Sequence, residues 1–156
     1  MIDIYSPLSG TTIALKDVED PVLAGGIVGA GCAVRPVETR MHEVCAPVSG
    51  KLLKVHPHAF IIFTAAGVGV LCHLGIDTVK LRGEGFEVLR TEGDVVEAGD
   101  AVIRWDSSVA KAHHLSTSVS VIACDLPESM IQMSSTIGTE IQSRDLLFQL
   151  QNGESA

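Results

Sequence analysis

Aromatic residues make up only 4% of this chain. Its core must therefore be built from Val, Ile, Leu and Ala, a β-branched bias that leans toward strands. Basic residues are also few: 11 Lys and Arg stand against 19 Asp and Glu, for a formal net charge of −8. Counterion release from a nucleic-acid backbone needs a basic patch, and none is visible, so nucleic acid is excluded as the main partner. The charge is compatible with a partner that has a basic docking face. The N-terminus, MIDIYSPLSG, lacks both the basic and the apolar segment of a signal peptide. No apolar run approaches the roughly 18 residues of a membrane span, so direct membrane insertion is not expected and a cytoplasmic location is. Cys32, Cys45, Cys72 and Cys124 are widely spaced with no CxxC pair. They read as small buried apolar residues in a reducing compartment, not as a disulfide framework.

Glycine, by contrast, is plentiful and cuts the chain into short runs. IDIYSPLSGTTIAL reads as strand, turn, strand, and MHEVCAPVSGKLLKV repeats the same Pro-x-Ser-Gly turn. This repeat hints at internal duplication. GGIVGAG lacks the GxGxxG spacing of a dinucleotide site, and its glycines suggest close backbone packing. AFIIFT and VGVLCHL read as an antiparallel hairpin, and FEVLRTEGDVVEAGDAVIRWD as three short strands with turns at Glu-Gly-Asp and Ala-Gly-Asp. Helical pieces are expected at Ser107 to His114, capped by Asp106 or Ser107, and at Pro127 to Ser134. TSVSVIAC and RDLLFQLQ complete the strands. Turns every eight to twelve residues predict an all-β fold, an antiparallel β-sandwich or barrel with short helical segments. At 156 residues the chain reads as a single domain over 1–151 with a C-terminal tail at 152–156.

Two histidines carry the functional reading. With Thr64 opposite Gly69, the hairpin sets Phe60 against His73 and His58 against Gly75, placing both imidazoles on one sheet face. A one-residue slip would separate them. Two imidazoles on an apolar floor of Phe60, Ile62 and Leu71, with Asp77 close by, suit either metal binding or the passing of a charged group. His42, His113 and His114 lack matching partners and read as surface residues. Trp105 reads as packing near a strand end.

HLGIDTVKLRGEGF, with HAF fifteen residues before its histidine, closely resembles the glucose-type IIA component of the bacterial phosphoenolpyruvate-dependent sugar phosphotransferase system. SPLSG, DPVLAGGIVGAGCAV, CAPVSGKL and EGDVVEAGDAVI follow the same family layout, from about residue 4 to 150. The resemblance implies a β-sandwich of the duplicated hybrid motif type. It also implies a phosphotransferase component without cofactor or metal. His73 would accept a phosphoryl group from the phosphocarrier HPr, most naturally through Nε2, and pass it to a cysteine on the IIB domain of a IIBC sugar permease. His58 would hydrogen-bond the phosphoryl oxygens. A backbone carbonyl in the Leu74-Gly75 turn would hold Nδ1–H of His73. Asp77 and Asp20 would meet an arginine of the phosphocarrier, and Val22, Leu23, Val28, Phe60 and Leu71 would form an apolar docking ring. Local turn capping competes for Asp20. The chain departs from the family at His56, where threonine is common, and at Leu71 and Leu74, where phenylalanines flank the active histidine. Beginning at Met and holding only the IIA region, it reads as free-standing.

A second reading comes from His56-x-His58 and His73-x-x-x-Asp77, which resemble the HxH and HxxxD motifs of lysostaphin-type zinc peptidases. The motif order is reversed here. A biotinyl- or lipoyl-carrier reading fails because the modified lysine turn is missing.

Overall fold

The computed structural model describes residues 1–151, so the tail expected at 152–156 lies outside the described residues. The strands are β1 (Ile2–Tyr5), β2 (Gly10–Ala14), β3 (Gly29–Pro36), β4 (Met41–Cys45), β5 (Gly50–His56), β6 (Ala59–Phe63) and β7 (Gly69–Leu74). They continue as β8 (Phe86–Val88), β9 (Val95–Val96), β10 (Ala101–Asp106), β11 (Val119–Cys124), β12 (Ile131–Met133), β13 (Glu140–Ile141) and β14 (Leu146–Leu150). An eight-stranded sheet runs β13-β2-β3-β11-β7-β6-β5-β9, and two three-stranded sheets run β1-β14-β12 and β4-β10-β8. Every pairing is antiparallel, as the short strands and frequent turns predict. Among the described residues no helix is long and apolar enough to cross a membrane.

Side chains alternate across each strand, and the large sheet uses both faces. Phe60, Ile62, Val70, Cys72 and Leu74 point inward, where they join Ile4 and Phe148 from one small sheet and Val44, Ile103 and Trp105 from the other. Trp105 is fully buried and stacks on Phe86 at 5.7 Å, the packing role expected of it. The opposite face carries a smaller cluster of Val18, Leu23, Ala33, Ile76 and Ile122, with Val28 and Leu71 packed against it. Helix α1 (Pro21–Ala24) and the 3-10 turn Leu15–Asp17 contribute to this outer layer. All four cysteines are free, and three are buried. Burial pushes the Cys32 thiol up to about 12, which makes it a poor nucleophile.

The repeated Pro-x-Ser-Gly turn is a corner between sheets, not a hairpin. β1 pairs with β14 while β2 pairs with β3, and β4 pairs with β10 while β5 pairs with β6. The two corners lock reciprocally: Tyr5 N–H donates to the Pro47 carbonyl at 2.8 Å and Cys45 N–H to the Pro7 carbonyl at 2.9 Å. Ser9 Oγ accepts from Ser143 N–H and Ser49 Oγ from Ala98 N–H, each at 2.9 Å. The turns they touch match as well: Asp145 caps Gln142 N–H at 3.1 Å and Asp100 caps Glu97 N–H at 2.9 Å. The duplication hinted at by two short strings is thus repeated in hydrogen bonds.

Helix α2 (Ser107–Ala112) forms as expected, with Asp106 accepting from Ser108 N–H as its cap. The helix expected at Pro127 to Ser134 does not. A single 3-10 turn, Glu128–Met130, gives way to β12, whose Ile131–Met133 pair with β14. Sheet pairing overrides helix propensity there. His42 is also corrected: it is buried, and its Nε2 lies 3.1 Å from Ser107 Oγ. His113 and His114 are exposed.

Candidate functional site

The β6–β7 hairpin pairs one residue away from the expected register. Ala59 faces His73, Phe60 faces Cys72 and Phe63 faces Gly69. This slip does not separate the histidines, because His58 is not in the β6 ladder. It occupies the Pro57-His58 turn between β5 and β6, where strand alternation no longer dictates side-chain direction. Its backbone carbonyl still accepts from Leu74 N–H at 2.8 Å. The His58 and His73 rings meet edge to face, 5.4 Å between centroids and 76° between planes. His56, at the end of β5, stacks on the other side of His58 at 5.9 Å and 25°.

The register does change the floor. Phe60 and Ile62 are fully buried in the main core, so neither lies beneath the imidazoles. Phe60 therefore cannot belong to a docking ring; its side chain faces the core because it pairs with Cys72. The residues sharing a face with His73 are Ala59, Ile61 and Leu71, followed on β11 by Ser120 and Ile122. Leu74, also fully buried, leaves the site by the same alternation.

His73 is anchored through Nδ1, which lies 2.8 Å from the Gly75 carbonyl. A carbonyl can only accept, so Nδ1 carries the proton and Nε2 presents its lone pair. Gly75 adopts φ +77, and a Cβ there would press on Thr78 and the Ser116 carbonyl; only glycine suits this bend. The bend is pinned by Gly75 N–H to the Ser118 carbonyl at 3.0 Å and by Thr78 Oγ1 to the Leu74 carbonyl. His58 has its pKa held below the ordinary 6.5, first by burial, then by repulsion from His73 and from His56. Both effects favour the neutral imidazole, which has one N–H to donate.

The expected docking residues divide. Val22 is 52% exposed, Val28 and Leu71 are half-buried, and Leu23 is buried within the outer cluster. Leu23 therefore supports the face from beneath and does not line it. Asp20 caps α1, its Oδ1 accepting from Val22 N–H at 2.9 Å and Leu23 N–H at 3.4 Å. Asp77 is exposed in a left-handed turn at φ 59, and its Oδ2 lies 3.9 Å from Lys80 Nζ. Among the described residues no three His, Cys, Asp or Glu side chains are arranged to hold a metal ion, so His56, His58, His73 and Asp77 do not converge as the peptidase reading requires.

Ser120 went unnoticed in the sequence. It is the direct partner of His73 across the β7–β11 ladder and is fully buried. Nothing local in VSVIAC signals this, because the pairing joins strands distant in sequence.

The sequence model of the family described as phosphoenolpyruvate-dependent sugar phosphotransferase system, EIIA 1, matches residues 2–128. The chain is 39% identical over 127 residues to a PTS system glucose-specific EIIA component of Halalkalibacterium halodurans, covering 80% of this chain and 72% of that protein. It is 42% identical over 107 residues to the protein of the same name from Staphylococcus epidermidis, covering 67% of this chain and 63% of that one. Among solved structures, glucose permease IIA from Mycoplasma capricolum superposes with a TM-score of 0.79 at 34% identity, covering 94% of each chain. With sequence, sandwich and structural likeness in agreement, the chain belongs to the EIIA 1 family of the phosphoenolpyruvate-dependent sugar phosphotransferase system.

Proposed function

We propose that this protein is a cytoplasmic phosphocarrier, with residues 1–151 forming a single IIA domain. His73 takes a phosphoryl group from phospho-HPr and passes it to a cysteine of a sugar-permease IIB domain. The observation that carries this reading is the 2.8 Å contact of His73 Nδ1 with the Gly75 carbonyl. It holds one tautomer, with the nucleophilic lone pair on Nε2. In the first transfer Nε2 attacks phosphorus, the new N–P bond forms as the donor's bond to phosphorus breaks, and the proton stays on Nδ1. In the second, the acceptor thiolate attacks phosphorus and Nε2 departs with its lone pair. Phosphoryl transfer asks the surroundings mainly for positioning and charge stabilisation. The neutral His58 N–H, beside the ring at 5.4 Å, is suited to donate to the transferring oxygens.

The docking face combines exposed Val22 with half-buried Val28 and Leu71. Asp77, and Asp20 where its cap leaves it free, would meet a basic group of the partner, in keeping with the −8 net charge. Incubation with Enzyme I, HPr and labelled phosphoenolpyruvate tests the division of labour. His58→Ala is expected to accept label on His73 but to pass it to IIB about a hundredfold more slowly, the lower end of the loss expected from removing one transition-state donor. Equal transfer rates for His58→Ala and the unaltered protein would remove His58 from the mechanism.

A further inference from the structure

Among the described residues, buried hydroxyls are paired, with one exception. Ser6 donates to the Leu8 carbonyl, Thr12 to the Thr136 and Thr139 carbonyls, Thr78 to that of Leu74, and Ser107 to those of Thr39 and Arg40. Thr64 Oγ1 accepts from Val68 N–H, and Ser118 Oγ meets that of Ser116. Ser120 Oγ, with no accessible surface, has no partner among the described residues. A hydroxyl buried unpaired is destabilising, and a fold that retains one invites the question of what pairs it.

Its position answers that question. Ser120 and His73 are directly opposed on β11 and β7, so their side chains leave the sheet on the same face with Cβ atoms about 4.5–5.5 Å apart. Ser120 therefore flanks the imidazole from the β11 side, while His58 flanks it from the β5–β6 turn. His73 Nδ1 is already committed to Gly75, so the acceptor that arrives on this face is whatever Nε2 carries.

We infer that Ser120 is a phosphoryl-holding residue, its hydroxyl donating to an oxygen of the group on His73 Nε2 and so becoming paired only in the phosphorylated protein. The inference rests on the phosphocarrier reading. A contact made in one state and absent in the other stabilises that state by its full differential. Ser120 thus favours retention of the phosphoryl group until the acceptor docks.

Ser120→Ala separates this from a structural role, because the two predict opposite signs. In the unphosphorylated protein, removing an unpaired hydroxyl should leave the melting temperature unchanged or raise it. In the phosphorylated protein it should shorten the lifetime of phospho-His73 about fivefold, the worth of one net hydrogen bond, and move its 31P resonance. Ser118→Ala, which alters a hydroxyl already paired, should change neither lifetime nor resonance. An unchanged lifetime and 31P resonance in Ser120→Ala would overturn the inference, as would a lowered melting temperature of the unphosphorylated variant. Absence of label on His73 in the unaltered protein would instead overturn the phosphocarrier reading beneath it.

Discussion

Three histidines in this protein differ because their surroundings differ. His73 is held by a carbonyl through Nδ1, His58 is kept neutral chiefly by burial, and His42 is buried against Ser107. Burial also lowers the His42 pKa, opposed by a hydrogen bond with the Thr39 backbone. A histidine whose pKa is lower folded than unfolded binds its proton more readily in the unfolded chain. Its contribution to stability is therefore complete above the ordinary 6.5 and is lost as pH falls below it. His42→Gln, which keeps a donor toward Ser107, should flatten the decline in melting temperature between about pH 7 and pH 5. Parallel declines in the variant and the unaltered protein would show that His42 is not a source of acid sensitivity. The sequence offered no sign of the burial of His42, because it depends on contact with a helix far along the chain. The pairing of His58 with His73 was legible, although for a partly mistaken reason: the strand register shifted, and the turn brought His58 back beside His73.

At the scale of elements, α1 is the clearest case of a short segment with a disproportionate task. Four residues are too few for a helix to be stable alone. Asp20 completes the first turn through Val22 and Leu23 N–H, and Leu23 anchors it on the outer cluster. Asp20→Ala should cost about 1 kcal/mol in urea unfolding, whereas Asp20→Asn, which still caps, should cost less. Equal losses in the two variants would point to charge, not capping. The Pro127 region shows the limit of local reading. Proline near a helix start is a fair signal, yet Ile131–Met133 are drawn into an edge pairing with β14 that only the assembled sheet supplies.

For the whole molecule, the two Pro-x-Ser-Gly corners explain how a chain rich in short strands closes around one core. Each delivers one strand to a small sheet and the next to the large sheet, and the corners hydrogen-bond to each other. The β class, most strand positions and the corner residues follow from alternation and turn chemistry, and the sequence showed them. Sheet partners did not follow, because they depend on contacts between distant strands. The matching bonds of Ser9 and Ser49 predict that Ser9→Ala and Ser49→Ala each lower stability by a similar amount, about 0.5–1 kcal/mol in urea unfolding. Because the corners touch, the double variant should deviate measurably from additivity. A large loss for one serine and none for the other would break the equivalence.

In the proposed mechanism His73 carries a phosphoryl group on Nε2 while Nδ1 keeps its proton on the Gly75 carbonyl. Nitrogen-15 and phosphorus-31 NMR of the protein, labelled at histidine and phosphorylated through Enzyme I and HPr, tests it directly. A single phosphohistidine is expected, coupled through Nε2 of His73, with Nδ1 still protonated. Phosphorus coupled to Nδ1, or attached to His58 or His56, would contradict it.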